Sequence, residues 1–171
     1  MAAQKEKILV TGGAGFIGSH FVDTALAYGY SVLTVDKLDY CGNLLNLEAA
    51  QKKKSHKFLQ ADVADSVAMQ QAFKAFKPHA VVHLAAQTHV DRSIDNPQSF
   101  IDNNVTATQR LLEVSREYWK SLRGEKKERF RFIYVSTDEV YGSLGPNDAP
   151  FTIESPYRAT SPYAASKAAG E

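Results

Sequence analysis

A glycine-rich turn lies between a strand-like apolar run and a helix-like run near the start of the chain. Residues 12–18 read GGAGFIG, and from Gly13 onward they fit the pattern G-x-G-x-x-G. The glycines permit a tight turn, they let backbone N–H groups approach a pyrophosphate, and the helix N-terminus adds partial positive charge. This turn restricts the local fold to a strand–turn–helix unit of a parallel sheet, and it predicts that the chain binds a dinucleotide.

Asp36 ends the second apolar run and supports this interpretation. A carboxylate there accepts hydrogen bonds from ribose hydroxyls and disfavours a 2′-phosphate, so the expected cofactor is NAD rather than NADP. Lys37 follows directly and leaves that preference open. A protein-kinase glycine loop is the competing interpretation, but the chain lacks the V-A-I-K and D-F-G motifs that accompany it.

Short apolar runs alternate with longer helical patterns along the chain. This indicates βαβ units and predicts an α/β fold with a Rossmann-type, doubly wound parallel sheet. The predicted strands cover residues 7–11, 31–36, 57–62, 80–85 and 130–136. The predicted helices cover residues 16–28, 65–76 and 97–122, with a short helix within 41–54 and another that opens at 161. We expect a polar turn at 124–129 and a long loop at 142–160, of the kind that often forms a lid or a binding segment.

The composition excludes several classes of protein. The 171 residues are enough for one domain, and the net charge of +1 gives no case for binding nucleic acid or a membrane. Cys41 is the one cysteine, so no intrachain disulfide is expected, and the spacing of the five histidines is not typical of a zinc site. No apolar run suits a signal peptide or a membrane span, and a cytoplasmic location is therefore the expectation.

The last predicted helix opens close to the end of the sequence. A doubly wound sheet normally continues past such a helix, and an uncovered sheet edge favours aggregation. We therefore interpret residues 1–171 as an incomplete NAD-binding domain, truncated at its C-terminus and without a substrate domain. A partner chain that covers the edge is the alternative.

Tyr163 and Lys167 are four residues apart in this last helix, so their side chains share one face. An ammonium near a phenol favours the phenolate, and we expect Lys167 to lower the pKa of Tyr163. The pair would then provide a base for a sugar hydroxyl proton. With eight tyrosines a chance Y-x-x-x-K is possible, but its position after a dinucleotide fingerprint makes it informative.

Thr137, Asp138 and Glu139 follow the fifth predicted strand. Together with the dinucleotide fingerprint and the pair of Tyr163 and Lys167, an acid next to a base at the carboxyl end of a strand suggests redox chemistry coupled to an elimination. The alternative interpretation is a pair of carboxylates that cap a turn or a helix.

Three segments resemble the extended short-chain dehydrogenase/reductase family: VTGGAGFIG at 10–18, HLAA at 83–86 and Y-x-x-x-K at 163–167. Three more resemble its nucleotide-sugar 4,6-dehydratases, namely DKLDYCGN at 36–43, AQTHVDRSI at 86–94 and STDEVYG at 136–142. The resemblance covers nearly the whole chain and corresponds to about the N-terminal half of such enzymes. Epimerases of the family usually lack the acidic pair.

The resemblance implies an NAD-dependent lyase that dehydrates a nucleotide sugar, with dTDP-glucose as the expected substrate. Such enzymes oxidise C4, eliminate water across C5 and C6, and return the hydride to C6. UDP-glucose or another nucleotide sugar is the alternative substrate, and a non-catalytic NAD-binding or dimerisation module is the alternative class. A homodimer is implied for the full-length protein, and we expect the 171-residue chain alone to be inactive.

The resemblance also implies roles for individual residues. Glu139 would be the base and Asp138 the acid, which requires Asp138 to stay protonated through burial and the nearby charge of Glu139. Thr137 would hydrogen-bond the C4 oxygen, and Tyr163 would accept the C4 proton beside Lys167. Thr88 would contact either the pyrophosphate or the substrate. The residues expected around the cofactor are Gly12, Gly15, Phe16, Ile17, Gly18, Asp36, Lys37, Leu38, Gly42, Asp62, Val63, Leu84, Ala85, Ala86, Tyr163 and Lys167.

Three further polar side chains lie within or after the fourth predicted strand. His83 lies within a strand and is expected to be a hydrogen-bonded core residue. His89 and Asp91 follow the fourth strand, where a functional and a structural role are equally supported.

Overall fold

Five parallel strands form the centre of the computed structural model, which describes residues 6–171. Their order in the sheet is β3-β2-β1-β4-β5, and each neighbouring pair is parallel. The strands are β1 Lys7–Thr11, β2 Ser31–Asp36, β3 His56–Gln60, β4 Ala80–His83 and β5 Arg131–Tyr134. The order reverses between β1 and β4, which creates the crevice where ligands bind in open α/β sheets. The predicted Rossmann-type sheet is confirmed.

Eight α-helices within residues 6–171 connect and cover the strands. They are α1 Phe16–Ala27, α2 Glu48–Gln51, α3 Ser66–Phe76, α4 Val90–Asp95, α5 Pro97–Phe100, α6 Ala107–Ser121, α7 Glu125–Arg129 and α8 Pro162–Ala168. Two 3₁₀ turns occupy Leu44–Leu47 and Asp138–Tyr141, and a π-helical turn occupies Ile101–Thr106. No helix in this described part of the chain is both long enough and apolar enough to cross a membrane.

Several observed elements differ from the predicted ones, and β3, β4 and β5 each end two residues earlier than predicted. The single helix predicted at 97–122 consists of α5, the π-helical turn and α6, and the preceding helix α4 was not predicted. The polar turn predicted at 124–129 is the short helix α7. That helix has no buried residue, so it lacks the apolar periodicity by which a helix is predicted.

The core lies on both faces of the sheet. One buried cluster packs α3 and α6 against the sheet through residues such as Phe73 and Leu111. The other packs α1 and the 44–51 segment against the opposite face through residues such as Val22 and Leu47. Coverage of both faces is what a parallel sheet requires, and it leaves the carboxyl edge of the strands open for the site.

The start of α8 is defined by its sequence. The Ser161 hydroxyl accepts a hydrogen bond from the backbone N–H of Ala164, and Pro162 occupies the first turn of the helix that was predicted to open at 161. This cap sets the helix so that Tyr163 and Lys167 both become buried at the carboxyl edge of the sheet.

Candidate active site

A cleft of about 510 Å³ opens at the carboxyl ends of the strands, between the glycine-rich turn and α8. Every residue predicted to surround the cofactor lines this cleft, with the exception of Leu38. Thr88 lines it as well, whereas Thr137, Asp138 and Glu139 do not. Lining residues that the sequence did not single out for this site are Val35, Asp39, Tyr40, Cys41, Ala61, Gln87, Asn103, Val135 and Ser136.

The glycine-rich turn has the close packing that a phosphate-binding turn requires. Gly12 has φ +69°, and a Cβ there would lie 2.6 Å from the backbone nitrogen of Ala85. A Cβ on Gly18 would overlap the carbonyl oxygen of Gly12, because α1 packs directly on the turn. Gly15, by contrast, has only that same oxygen nearby, at 3.3 Å. Since Gly15 is the N-cap of α1 and no side chain caps the helix among the described residues, its first N–H groups suit a pyrophosphate.

Asp36 is buried at the end of β2 and lines the cleft. Its Oδ2 accepts a hydrogen bond from the Ala14 backbone at 3.0 Å, and its Oδ1 accepts one from the Leu38 backbone at 2.8 Å. Each carboxylate oxygen has a further lone pair available. The carboxylate is therefore held rigidly and can still accept a hydrogen bond from a ribose hydroxyl.

The neighbouring cation, Lys37, is held by acidic and amide groups. Its ammonium donates to Asn103 Oδ1 and lies 3.4 Å from an oxygen of Asp39 and 3.6 Å from an oxygen of Asp62. The pKa of Asp39 is lowered, first by the hydrogen bond from the Tyr40 backbone and then by Lys37. Two carboxylates therefore compensate the positive charge next to Asp36.

Lys167 is directed at the end of β5. Its ammonium donates a hydrogen bond to the Val135 carbonyl oxygen at 2.6 Å and lies 4.0 Å from the centre of the Tyr134 ring. Burial lowers the pKa of Lys167 to about 8, and the negative charge of Glu171 opposes that shift. The cation is thus held by a carbonyl dipole and an aromatic face.

The pKa of Tyr163 is raised, so the expectation that Lys167 lowers it is wrong for this conformation. Burial is the main cause, the negative charges of Glu139 and Asp138 add to it, and contact with the Thr137 hydroxyl partly offsets it. Because Lys167 is directed elsewhere, the neighbouring acids dominate the electrostatics of the phenol.

The acidic pair belongs to the 3₁₀ turn Asp138–Tyr141, which follows the edge strand β5. Thr137 caps this turn by accepting a hydrogen bond from the Glu139 N–H at 3.3 Å. Both acidic side chains are exposed, so the burial expected for Asp138 is not found within these residues. The pair is nevertheless close enough to Tyr163 for both charges to raise the pKa of the phenol.

His83 and His89 lie in different environments, the first buried and the second exposed. His83 is fully buried, it hydrogen-bonds Thr11 at 2.6 Å and Thr108 at 2.9 Å, and burial lowers its pKa to about 3. The prediction of a hydrogen-bonded core residue is confirmed. His89 and Asp91 are exposed at the start of α4 and lie outside the cleft lining. Within residues 6–171, no group of three or more His, Cys, Asp or Glu side chains could hold a metal ion.

An amide network behind the cleft was not predicted. The Asn104 amide donates to the Gln87 carbonyl and to the Ser166 hydroxyl, and Ser166 in turn donates to the Tyr163 carbonyl. Asn104 belongs to the π-helical turn, where one extra residue per turn brings Asn103 to Lys37 and Asn104 to α8. The polar pair at 103–104 within an otherwise helical pattern was the available signal in the sequence.

The fold and the cleft define a Rossmann-type protein built to bind a dinucleotide. The chain belongs to the family described as GDP-mannose 4,6 dehydratase, whose sequence profile matches residues 9–171. It is 49% identical over 165 residues to a probable dTDP-glucose 4,6-dehydratase of Sinorhizobium fredii, a match that covers 96% of this chain and 47% of the relative. It is 47% identical to the dTDP-glucose 4,6-dehydratase of Xanthomonas campestris pv. campestris strain B100, over 95% of this chain and 46% of that one.

Solved structures show the same similarity. DesIV, a dTDP-glucose 4,6-dehydratase of Streptomyces venezuelae with NAD and TYD bound, has a TM-score of 0.84 at 39% identity, over 96% of this chain and 49% of that one. The UDP-glucose 4-epimerase of Thermus thermophilus in complex with NAD has a TM-score of 0.81 at 35% identity, over 96% of this chain and 48% of that one. The chain spans about half the length of the relatives it matches.

Proposed function

We propose that residues 1–171 form the cofactor half of an NAD-dependent nucleotide-sugar 4,6-dehydratase, a lyase that acts on dTDP-glucose. The observation that carries the proposal is the acidic pair Asp138 and Glu139 beside Tyr163, at the carboxyl end of β5. Dehydratases and epimerases share this fold, but only an elimination needs an acid and a base next to the tyrosine that accepts the proton of the sugar hydroxyl. Relatives named as dTDP-glucose 4,6-dehydratases support the choice of substrate.

The cleft fits NAD. The glycine-rich turn and the N-terminus of α1 would hold the pyrophosphate, and Asp36 would accept from the adenosine ribose. Asp39 and Asp62 compensate the Lys37 cation, so its charge is not free to attract a 2′-phosphate. When bound, NAD would supply the hydride acceptor for oxidation at C4 of the sugar and the hydride donor for reduction at C6.

Tyr163 takes the proton of the C4 hydroxyl, and Thr137 hydrogen-bonds the same oxygen. The pKa of Tyr163 is raised in this conformation, so the phenolate depends on the charge of Lys167 turning from Val135 toward the phenol. The amide network through Ser166 fixes the backbone carbonyl of Tyr163 and so orients the start of α8.

The acidic pair performs the elimination. Glu139 removes the C5 proton, which the C4 ketone makes acidic, and Asp138 donates a proton to the C6 oxygen as water leaves. Glu139 then returns the proton to C5 as C6 is reduced. Thr88 lines the cleft, where it would contact the substrate or the pyrophosphate of the cofactor. Since both acids are exposed, we propose that they become covered by a substrate domain beyond these residues, and that the 171-residue chain alone has little turnover. A cytoplasmic homodimer for the full-length protein stays a prediction.

The test is incubation of the full-length protein with NAD and dTDP-glucose, followed by NMR analysis of the sugar. We expect a dTDP-4-keto-6-deoxy sugar, with a smaller rate for UDP-glucose. The variants Asp138→Asn and Glu139→Gln should bind NAD as the wild type does and lose most of the product. Formation of a C4 epimer without loss of water would contradict the proposal.

A further inference from the structure

Glu171 makes two side-chain contacts near the acidic pair. Its Oε1 accepts a hydrogen bond from the hydroxyl of Ser136, and its Oε2 accepts one from the hydroxyl of Tyr157 at 2.6 Å. The bond to the carboxylate raises the pKa of Tyr157, so the phenol keeps its proton and remains the donor. One carboxylate therefore joins the end of β5 to the 142–160 loop.

Through Tyr157, Glu171 is connected to the C-terminal end of the 3₁₀ turn Asp138–Tyr141. The Tyr157 ring stacks on the Tyr141 ring with an interplanar angle of 2° and a centroid distance of 5.8 Å. Phe151 also packs against the Tyr141 ring, at a centroid distance of 5.4 Å. The Arg158 N–H donates to the Val140 carbonyl at 2.9 Å, so the loop is also bonded to the turn next to this stack.

Through Ser136, Glu171 is connected to the N-terminal end of the same turn. Ser136 directly precedes Thr137, the residue that caps the turn, and it lines the cofactor cleft. Glu171 therefore holds both ends of the segment 136–141, one directly and one through Tyr157. The acidic pair lies between these two fixed points and is itself exposed.

Close packing brings Glu171 to this position. A Cβ on Gly170 would overlap the hydroxyl oxygen of Tyr134, which itself donates to the Lys167 carbonyl at 3.4 Å. The chain after α8 can approach β5 closely only because residue 170 has no side chain. The following carboxylate then lies against Ser136, one turn beyond Lys167.

We propose that Glu171 is a positioning residue for the elimination step: it sets the 136–141 segment so that Asp138 and Glu139 face the sugar. The inference rests on the proposed dehydratase function and extends it to a residue outside the cleft lining and outside the acidic pair. Because the negative charge of Glu171 also raises the pKa of Lys167, the proposal requires that loss of Glu171 disturbs the acids more than it disturbs the tyrosine and lysine of α8.

The experiment compares Glu171→Ala, Glu171→Gln and Tyr157→Phe in the full-length protein, with Glu128→Ala as a control that removes an exposed carboxylate of α7. Single-turnover absorbance of the reduced cofactor separates oxidation from elimination. We expect Glu171→Ala to slow elimination about tenfold or more while oxidation changes less than about threefold, so that reduced cofactor accumulates. Tyr157→Phe should show a smaller effect in the same direction, Glu171→Gln should retain part of the rate, and Glu128→Ala should match the wild type.

Hydrogen–deuterium exchange gives a second readout that does not depend on the reaction. Peptides that cover residues 136–141 should exchange faster in Glu171→Ala, and those that cover α1 should not change. Equal slowing of both half-reactions, or unchanged exchange at 136–141, would overturn the proposal. If the wild type forms no dehydrated product, the dehydratase function fails, and the exchange measurement still decides whether Glu171 positions the segment.

Discussion

The ammonium of Lys167 donates to the carbonyl oxygen of Val135 at 2.6 Å, at the end of the strand that leads into the acidic pair. This bond directs the cation toward β5, although Lys167 shares a helical face with Tyr163. The phenol then experiences chiefly its own burial and the charges of Glu139 and Asp138, which raise its pKa. The acid–base state of Tyr163 is therefore linked to that of the acidic pair.

This link makes a measurable prediction for Glu139→Gln. Removal of one carboxylate charge should lower the pKa of Tyr163 toward its ordinary value near 10. NMR titration of tyrosine labelled at Cζ, with Tyr163→Phe to assign the signal, measures the shift. Glu113→Gln, which removes a carboxylate from α6, is the control and should leave the signal in place. A Tyr163 titration that is the same in both variants would contradict the link.

In the glycine-rich turn, two similar substitutions should affect different properties, one chiefly NAD binding and the other chiefly stability. Gly15→Ala should lower the free energy of unfolding by about 1 kcal/mol or less, because its Cβ would meet only the Gly12 oxygen at 3.3 Å. The same substitution should nevertheless weaken NAD binding at least tenfold. Gly18→Ala should destabilise the fold by about 2 kcal/mol or more, because its Cβ would overlap that same oxygen. Urea unfolding and calorimetric titration with NAD measure the two effects. Equal destabilisation by both changes would show that the packing argument fails.

The lowered pKa of the buried His83 predicts that the protein loses stability in acid. Its pKa is about 3 in the folded state and 6.5 as an ordinary value, so the unfolded chain binds more protons between these limits. The free energy of unfolding should therefore fall as the pH decreases from about 6.5 toward 3. Urea unfolding measures the free energy of unfolding at pH 7 and at pH 5. Between these two values it should decrease less for His83→Gln than for the wild type, even though the variant is less stable overall. His20, which is exposed on α1, provides the matched control His20→Gln, whose pH dependence should follow the wild type.

Lys37 predicts a change in cofactor preference. The double substitution Asp39→Asn and Asp62→Asn removes the two carboxylates that compensate Lys37, and we expect the ratio of NADP to NAD affinity to rise about tenfold. Addition of Lys37→Ala to this double variant should abolish the gain, since the freed cation is its cause. Calorimetric titration with each cofactor tests this. If the rise in relative NADP affinity persists after Lys37→Ala, its cause is the loss of the two negative charges alone, which would contradict the prediction.

Local rules explain which parts of the fold were predictable. The bounds of β1 and β2, the cap at Ser161 and the α8 start at Pro162 follow from apolar runs and capping residues that act over a few positions. The π-helical turn and α7 were missed because neither has an apolar stripe of period 3.6. Cofactor-cleft residues were predictable because parallel strands place their carboxyl ends at one edge.

The amino-acid sequence was sufficient to predict the Rossmann-type sheet and the glycine-rich turn, because apolar runs, glycine spacing and connection rules act locally. The shared role of Tyr163 and the acidic pair was implied by the resemblance of their motifs to those of nucleotide-sugar 4,6-dehydratases. Three features emerged only from tertiary packing: the direction of Lys167, the compensation of Lys37 by Asp39 and Asp62, and the contacts of Glu171 with the segment of the acidic pair. Apart from the pair of Lys37 and Asp39, which are two residues apart, these contacts join groups that are far apart in the chain. Their geometry depends on how helices pack against the sheet, which no local pattern encodes.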